Sequence, residues 1–197
     1  MAEAFFQATA WTMDTPKPYG AFHLVLTVLG VSLSIFLARK FSFPERKAGP
    51  DTILFLCGLF LGLTELYKQG FIYYIENGRT YDWWYFPFQL CSVPMYLGLF
   101  IPMVPARIRN VFYLFIQDFG LLGGIMALAE PSGLMHPYWT MTVHGFLWHF
   151  NLIFMGLICA FYNLKTETPK SYLHTIPLFL FCTAIATAVN VLSHPYG

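Results

Sequence analysis

Charge is scarce in this chain. Only 11% of its 197 residues are Asp, Glu, Lys or Arg, against roughly 25% in a soluble domain, too few to wet the surface of a globule in water. The charges present nearly cancel, with 11 Lys and Arg against 10 Asp and Glu. That balance excludes the basic field nucleic-acid binding requires, so no nucleic-acid partner is expected. Cysteine is sparse as well. Cys57, Cys91, Cys159 and Cys182 all lie in apolar stretches, and their spacing suggests neither a zinc site nor a disulfide framework. No H-x-x-x-H pair is present to hold a metal on one helical face, and no metal or other cofactor is expected. A secretory leader is not expected either. The first apolar run, residues 19–38, lacks a positive flank before it and is long enough to span a membrane.

Hydrophobic residues make up 57% of the chain, and 21 Phe and 12 Tyr bring the aromatic share to 19%; mean hydropathy is +0.56. This is the composition of an integral membrane protein rich in interfacial rings. The expected fold class is all-α, one polytopic domain over residues 1–197 built as a six-helix transmembrane bundle. A span needs about 20 mostly apolar residues. Six such runs fall near residues 20–39, 52–75, 83–104, 108–129, 140–163 and 172–193. The breaks are turn chemistry: residues 43–50, Glu76-Asn77-Gly78-Arg79-Thr80, Pro102 and Pro105 before Arg107, Glu130-Pro131-Ser132-Gly133, and Thr168-Pro169-Lys170. Residues 1–18 hold Phe5, Phe6 and Trp11 among polar residues, the pattern of a short interfacial helix. His194 is expected near a trimmed end.

Cations set the expected orientation. Arg39, Lys40, Arg46, Lys47, Arg107, Arg109, Lys165 and Lys170 lie in the first, third and fifth loops, whereas only Lys17 and Arg79 lie in the other outlying segments. The positive-inside bias then puts both termini outside, with Trp83, Trp84 and Trp139 at the outer interface.

Polar groups in hydrocarbon are costly, so their depths are informative. Counted along ideal helices, His23 lies about 5 Å below the outer end of its span, Glu65 and Lys68 about 10–15 Å, Gln89 and Cys91 about 10–12 Å, and His144 and His149 about 6 and 13 Å. Asp118 falls near the middle of the fourth span and Asn190 near the outer end of the sixth. All therefore fall in one half of the bundle, which points to a polar cavity open toward the leaflet on the N-terminal side. Each residue also has a plainer role to weigh. Glu65 and Lys68, three apart, neutralise each other; Cys91 is a small hydrophobe in a core; Asp118 anchors helices to one another. His144 and His149 are separated by about 500° of rotation, which puts them on different faces, so that one of them has the plainer role of capping or bridging helices; His144 is the one expected to be functional. Pro87 and Pro94 free backbone carbonyls around Gln89 and Cys91, tolerable where a helix lines a cavity. Gly120, Gly123, Gly124 and Ala127 give the fourth span a smooth packing face.

Phe22-His23-Leu24, Leu63-Thr64-Glu65, Phe86-Pro87-Phe88-Gln89-Leu90-Cys91-Ser92, Gly123-Gly124-Ile125-Met126-Ala127-Leu128, His144-Gly145 and Asn190 occur in this order. Together they resemble the YwaF-like bacterial integral membrane proteins over nearly the whole chain. That family is similar to eukaryotic six-span lipid enzymes, among them an acyltransferase acting on glycerophospholipids and, more distantly, the androgen-induced hydrolases of fatty-acid esters. The resemblance implies a multi-pass protein of the bacterial plasma membrane and lipid ester chemistry with a side-chain nucleophile and an embedded histidine. Gln89 stands where the bacterial motif usually carries His, and Cys91 lies three residues beyond the place of the eukaryotic cysteine.

Two functions are compatible with these residues. In the first, Cys91 is the nucleophile, His144 activates it, Glu65 or Asp118 orients the histidine, and Gln89 stabilises the oxyanion. His23, Lys68, His149 and Asn190 join Gln89 and Asp118 in binding a phospholipid or other acylated substrate drawn from the membrane lipids. In the second, the same polar set binds or transports a small amphiphile or solute with no covalent step.

Overall fold

A computed structural model of the protein describes residues 1–42, 50–163, 168 and 170–193. The turn at residues 43–49, Pro169, the loop cations Arg46, Lys47 and Lys165, and His194 lie outside the described residues. Among those described, every regular element is helical; Thr12 and Tyr138 meet in an isolated antiparallel bridge.

The long helices are α2 (Ala21–Ser42), α3 (Asp51–Phe71), α7 (Trp139–Asn163) and α8 (Ile176–Ser193), with shorter α1 (Ala2–Thr9), α4 (Val93–Phe100), α5 (Ala106–Phe115) and α6 (Leu121–Ala129). Four stretches are long and apolar enough to cross a membrane: Ala21–Ser42, Ala106–Ala129, Trp139–Asn163 and Ser171–Ser193. The helix α3 has 21 residues but contains Asp51, Glu65 and Lys68, which dilute its hydropathy.

The third run departs from the expected continuous helix. A 3-10 turn at Trp83–Tyr85 gives way to non-helical backbone, and only Leu90–Met103 is helical again. Two prolines account for it. Pro87 has no N–H to donate and disfavours helix at Phe86, and Pro94 is tolerated only in the first turn of a helix, which is where it sits in α4. Gln89 and Cys91 consequently lie at the mouth of this helix rather than along it.

Packing is organised around α7, which contacts α2, α3, α5 and α6. Half of its apolar window is buried, against 17% for α2 and 11% for the stretch ending in α8. The axis is therefore α7, while α2 and α8 offer most of their surface to lipid. The core runs through Leu54, Leu61, Val93, Phe115, Ile116, Leu152 and Met155. Contact between α3 and α4 is backbone on backbone: a Cβ on Gly58 would lie 2.7 Å from Leu99 N and 2.9 Å from Met95 O. The expected small-residue face forms and does more than pack helices. Gly124 meets the His149 carbonyl on α7, while Gly123 lies beneath Cys91, where a Cβ would be 3.7 Å from the Cys91 Cβ.

The N-terminal segment is helical, as its composition suggests, and it is tied to the bundle end. The Phe6 ring stacks on Tyr74 at 5.5 Å, and Tyr67 Oη donates to Thr9 Oγ1 at 2.6 Å. Glu3 pairs with Arg79. Beyond the helix, Trp139 N–H donates to Trp11 O and Met13 N–H to Pro137 O, both at 2.9 Å.

Candidate functional site

A stretch of irregular backbone among helices leaves carbonyls that lipid cannot satisfy. Here side chains take them one by one. Gln69 Nε2 donates to Tyr85 O at 2.6 Å, Tyr96 Oη to Pro87 O at 2.8 Å and Trp148 Nε1 to Cys91 O at 3.2 Å. Ser92 N–H closes on Gln89 O at 2.8 Å. Three elements thus fix the segment from outside, and it can present Cys91 without being helical itself.

Behind it lies a chamber of about 300 Å³ at the α1 end of the bundle. Its polar wall comprises Lys68 from α3, Gln89, Cys91 and Ser92 from the irregular segment, and His144 and His149 from α7. Ile72, Phe86, Leu134, Met141 and Trp148 supply apolar surface.

Five of the nine residues expected to meet therefore line one space: Lys68, Gln89, Cys91, His144 and His149. Glu65 joins them through Lys68, whose Nζ is 2.8 Å from Glu65 Oε2. The other carboxylate oxygen accepts from Gln69 Nε2 at 2.7 Å. Lys68 also sits 5.9 Å above the Trp148 ring, so its ammonium is held between an anion and a π face. Cys91 Sγ donates weakly to Gln89 Oε1 at 3.8 Å.

The two histidines differ in the way that matters for proton transfer. His149 Nδ1 is 2.7 Å from the Gly145 carbonyl. A carbonyl only accepts, so the proton is on Nδ1 and the lone pair on Nε2. The His144 ring packs at a tilt against Trp148, with centroids 5.5 Å apart. Its Nε2 is buried without a well-formed hydrogen bond, with the Thr64 backbone beside the ring. Both imidazoles reach the chamber although five residues separate them, because the chamber spreads from α3 to the irregular segment across the width of α7.

Three expected site residues lie elsewhere. His23 is buried, with Nδ1 accepting from Tyr19 N–H at 3.2 Å and Nε2 donating to Leu128 O at 3.0 Å, so Nδ1 ties down the start of α2 while Nε2 pins that helix to the end of α6. Asp118 sits in a π-helical turn, Ile116–Gly120, and accepts from Gln117 Nε2 at 3.3 Å; Gln117 in turn accepts from Asn163 Nδ2 at 3.0 Å. Asn190 lines a separate crevice between α8 and the irregular segment, which Gln89 shares. Conversely, sequence reasoning missed Trp148 and His136 as lining residues and Gln69 as a positioning residue. Only Gln69 left a signal, four residues after Glu65 on the same face.

At the chamber rim, a 3-10 turn at Pro131–Leu134 is capped by Glu130, whose carboxylate accepts from the Ser132 N–H and hydroxyl. Those two donors hold the Glu130 pKa below the ordinary carboxylate value. Among the described residues, no three His, Cys, Asp or Glu side chains converge to hold a metal ion.

The TMEM164 family matches residues 18–194, from just before α2 through the end of α8. The chain belongs to the TMEM164 family. The match takes in every chamber residue and leaves α1 outside. Membership of this membrane-protein family agrees with the four apolar helices. Neither a curated protein nor a solved structure matches the chain.

Proposed function

We propose that this TMEM164-family protein is a membrane-embedded lipid-modifying enzyme that transfers or hydrolyses an acyl ester. One observation carries the proposal: Cys91, Gln89, Lys68, His144 and His149 share a single chamber, so a nucleophile, oxyanion stabilisers and a base meet in one space. The resemblance of the chain to the YwaF-like membrane proteins, a family similar to eukaryotic six-span lipid enzymes, supports the same chemistry.

Cys91 Sγ attacks the ester carbonyl while its proton passes to an imidazole Nε2. His149 already holds the required tautomer, with the Gly145 carbonyl as orienter. The new S–C bond leaves an oxyanion stabilised by the Lys68 ammonium and by the Gln89 amide, turned so that its NH₂ faces in. Collapse breaks the C–O bond, and the departing alkoxide takes the proton back from the imidazolium. An acceptor hydroxyl, or water, then attacks the thioester by the same steps in reverse and regenerates the thiol.

The chain is further proposed to cross the membrane six times as one domain, in the bacterial plasma membrane, with both termini outside. The four long apolar stretches are joined in this reading by α3 and by residues 83–104, and the cations Arg39, Lys40, Arg107, Arg109 and Lys170 gather at the other end.

Native mass spectrometry of the purified protein after incubation with extracted bacterial lipids tests the enzyme reading. An acyl mass increment on Cys91, absent in Cys91→Ala, is expected. A lipid adduct released intact, with nothing converted by the wild type, overturns catalysis in favour of a binding or transport role.

A further inference from the structure

The chamber shares a wall with an apolar groove. His144 and Trp148 line the chamber, and they also line a hollow of about 220 Å³ between α3 and α7, with Phe60, Thr64, Val143 and Leu147. Phe60 carries the hollow into a second one of about 330 Å³, bounded by Ile53, Leu56, Cys57, Asn151 and Phe154. With Phe60 as their shared wall, the two hollows together reach from the histidine to the lower part of the helix pair. Along α7 they run from Thr140 to Phe154, fourteen residues at 1.5 Å each, or about 21 Å. One leaflet contributes about half of the roughly 30 Å hydrocarbon core, so the groove is longer than the depth one acyl chain occupies.

Its chemistry suits that occupant. The one amide along its lower part, Asn151, donates to Cys57 O at 3.3 Å, which ties α7 to α3 and leaves the walls apolar. At the upper end His144 Nε2 is buried without a well-formed hydrogen bond. A buried polar atom of this kind is unfavourable while it lacks a well-formed bond, and an ester carbonyl arriving at the groove mouth would give it one.

We propose that the α3/α7 groove is the binding site for one acyl chain of a membrane lipid, with the ester at His144 and the head group in the chamber. This assignment rests on the lipid-ester reading above, and it names where the chain lies and what limits its length. Bulk low in the groove shortens the chain accepted; bulk at the junction excludes it.

The test uses the full-length protein in phosphatidylcholine vesicles and a palmitoyl lysophosphatidylcholine with a diazirine midway along the chain. After photolysis, adducts are expected on Phe60, Leu147 or Phe154. Leu147→Trp should reduce them about tenfold, as filling a binding cavity does. Leu56→Trp, on a lipid-exposed position and so tolerable for folding, should abolish labelling by the palmitoyl probe yet spare a decanoyl one. Val189→Trp, in the α8 crevice, should change neither. Adducts spread evenly over outward residues such as Leu24 and Leu180, or gathered on Trp83 and Val189, overturn the assignment. So does labelling indifferent to both groove substitutions. The enzyme reading fails separately: groove adducts with no acyl-Cys91 would leave the chain site standing, whereas acyl-Cys91 with adducts outside the groove would remove the chain site alone.

Discussion

Trp148 joins three parts of the site. Its indole N–H holds the Cys91 carbonyl, its face meets Lys68, and its ring packs at a tilt against His144. Trp148→Phe keeps an aromatic ring but leaves that carbonyl without its donor in a low-dielectric interior. We expect a loss of about 1–3 kcal/mol, read as a lower thermal midpoint in detergent, together with slower acylation of Cys91. Unchanged stability would mean the carbonyl finds another donor. Residues of this kind are hard to read in a sequence, since an indole gives no hint of which carbonyl it reaches. Cys91 and Gln89 were legible because two prolines flank them, and Lys68 because a cation in an apolar run demands a reason. The expectation of a role for only one of His144 and His149 followed from angular separation on one helix, which ignores how wide the opposing cavity is. His23 was misleading for a related reason: depth placed it with the others, but both its nitrogens are taken by backbone groups.

At the scale of elements, the α3–α4 contact decides how closely the Cys91 segment approaches the bundle. Gly58→Ala would drive a Cβ into the backbone of α4, 2.7 Å from Leu99 N. Backbone cannot rotate away, so we expect destabilisation of roughly 3 kcal/mol or more, visible as aggregation or a sharply lowered midpoint. Gly62→Ala, one turn along, would meet only the Leu99 Cδ1 at 3.6 Å, an ordinary contact. It should be neutral, or stabilising by up to about 1 kcal/mol through helix propensity. The rim turn behaves differently. Glu130 titrates below the ordinary carboxylate value when it caps Ser132, so the cap is intact above that value and is lost as pH falls through the lowered pKa. The protection factor of the Ser132 amide, measured against the intrinsic exchange rate at each pH, should therefore fall on acidification through that lowered pKa, and Glu130→Gln should remove that pH dependence. The extent of most helices was legible from apolar run length. The third run was not, because composition alone reads 83–104 as continuous, and only the positions of Pro87 and Pro94 foretell its break.

On the scale of the whole molecule, one helix supports the rest. Contacts from α7 reach α2, α3, α5 and α6, while the α8 stretch buries little. The strap over the α1 end adds a second kind of restraint. Two backbone hydrogen bonds join residues 11–13 to residues 137–139, and Phe6 packs over Gly70 and Tyr74. Removing residues 1–13 should lower stability by roughly 2–4 kcal/mol from those bonds and the lost apolar burial. The measurement is a denaturation midpoint alongside hydrogen exchange, and the loss should concentrate at residues 137–142 and spare α5. The sequence pointed to an interfacial helix here, but it held no sign of the pairing with Pro137 and Trp139, which requires two distant segments to meet.

The chamber lies toward one end of the helices, and that asymmetry has a bookkeeping outcome in a sealed vesicle. If the proposed lipid chemistry holds, a protein inserted in one direction should meet the lipids of a single leaflet. With an impermeant, non-flipping labelled substrate in both leaflets, consumption should halt near half of the label. Reconstitution in both directions, or addition of a lipid scramblase, should release the remainder.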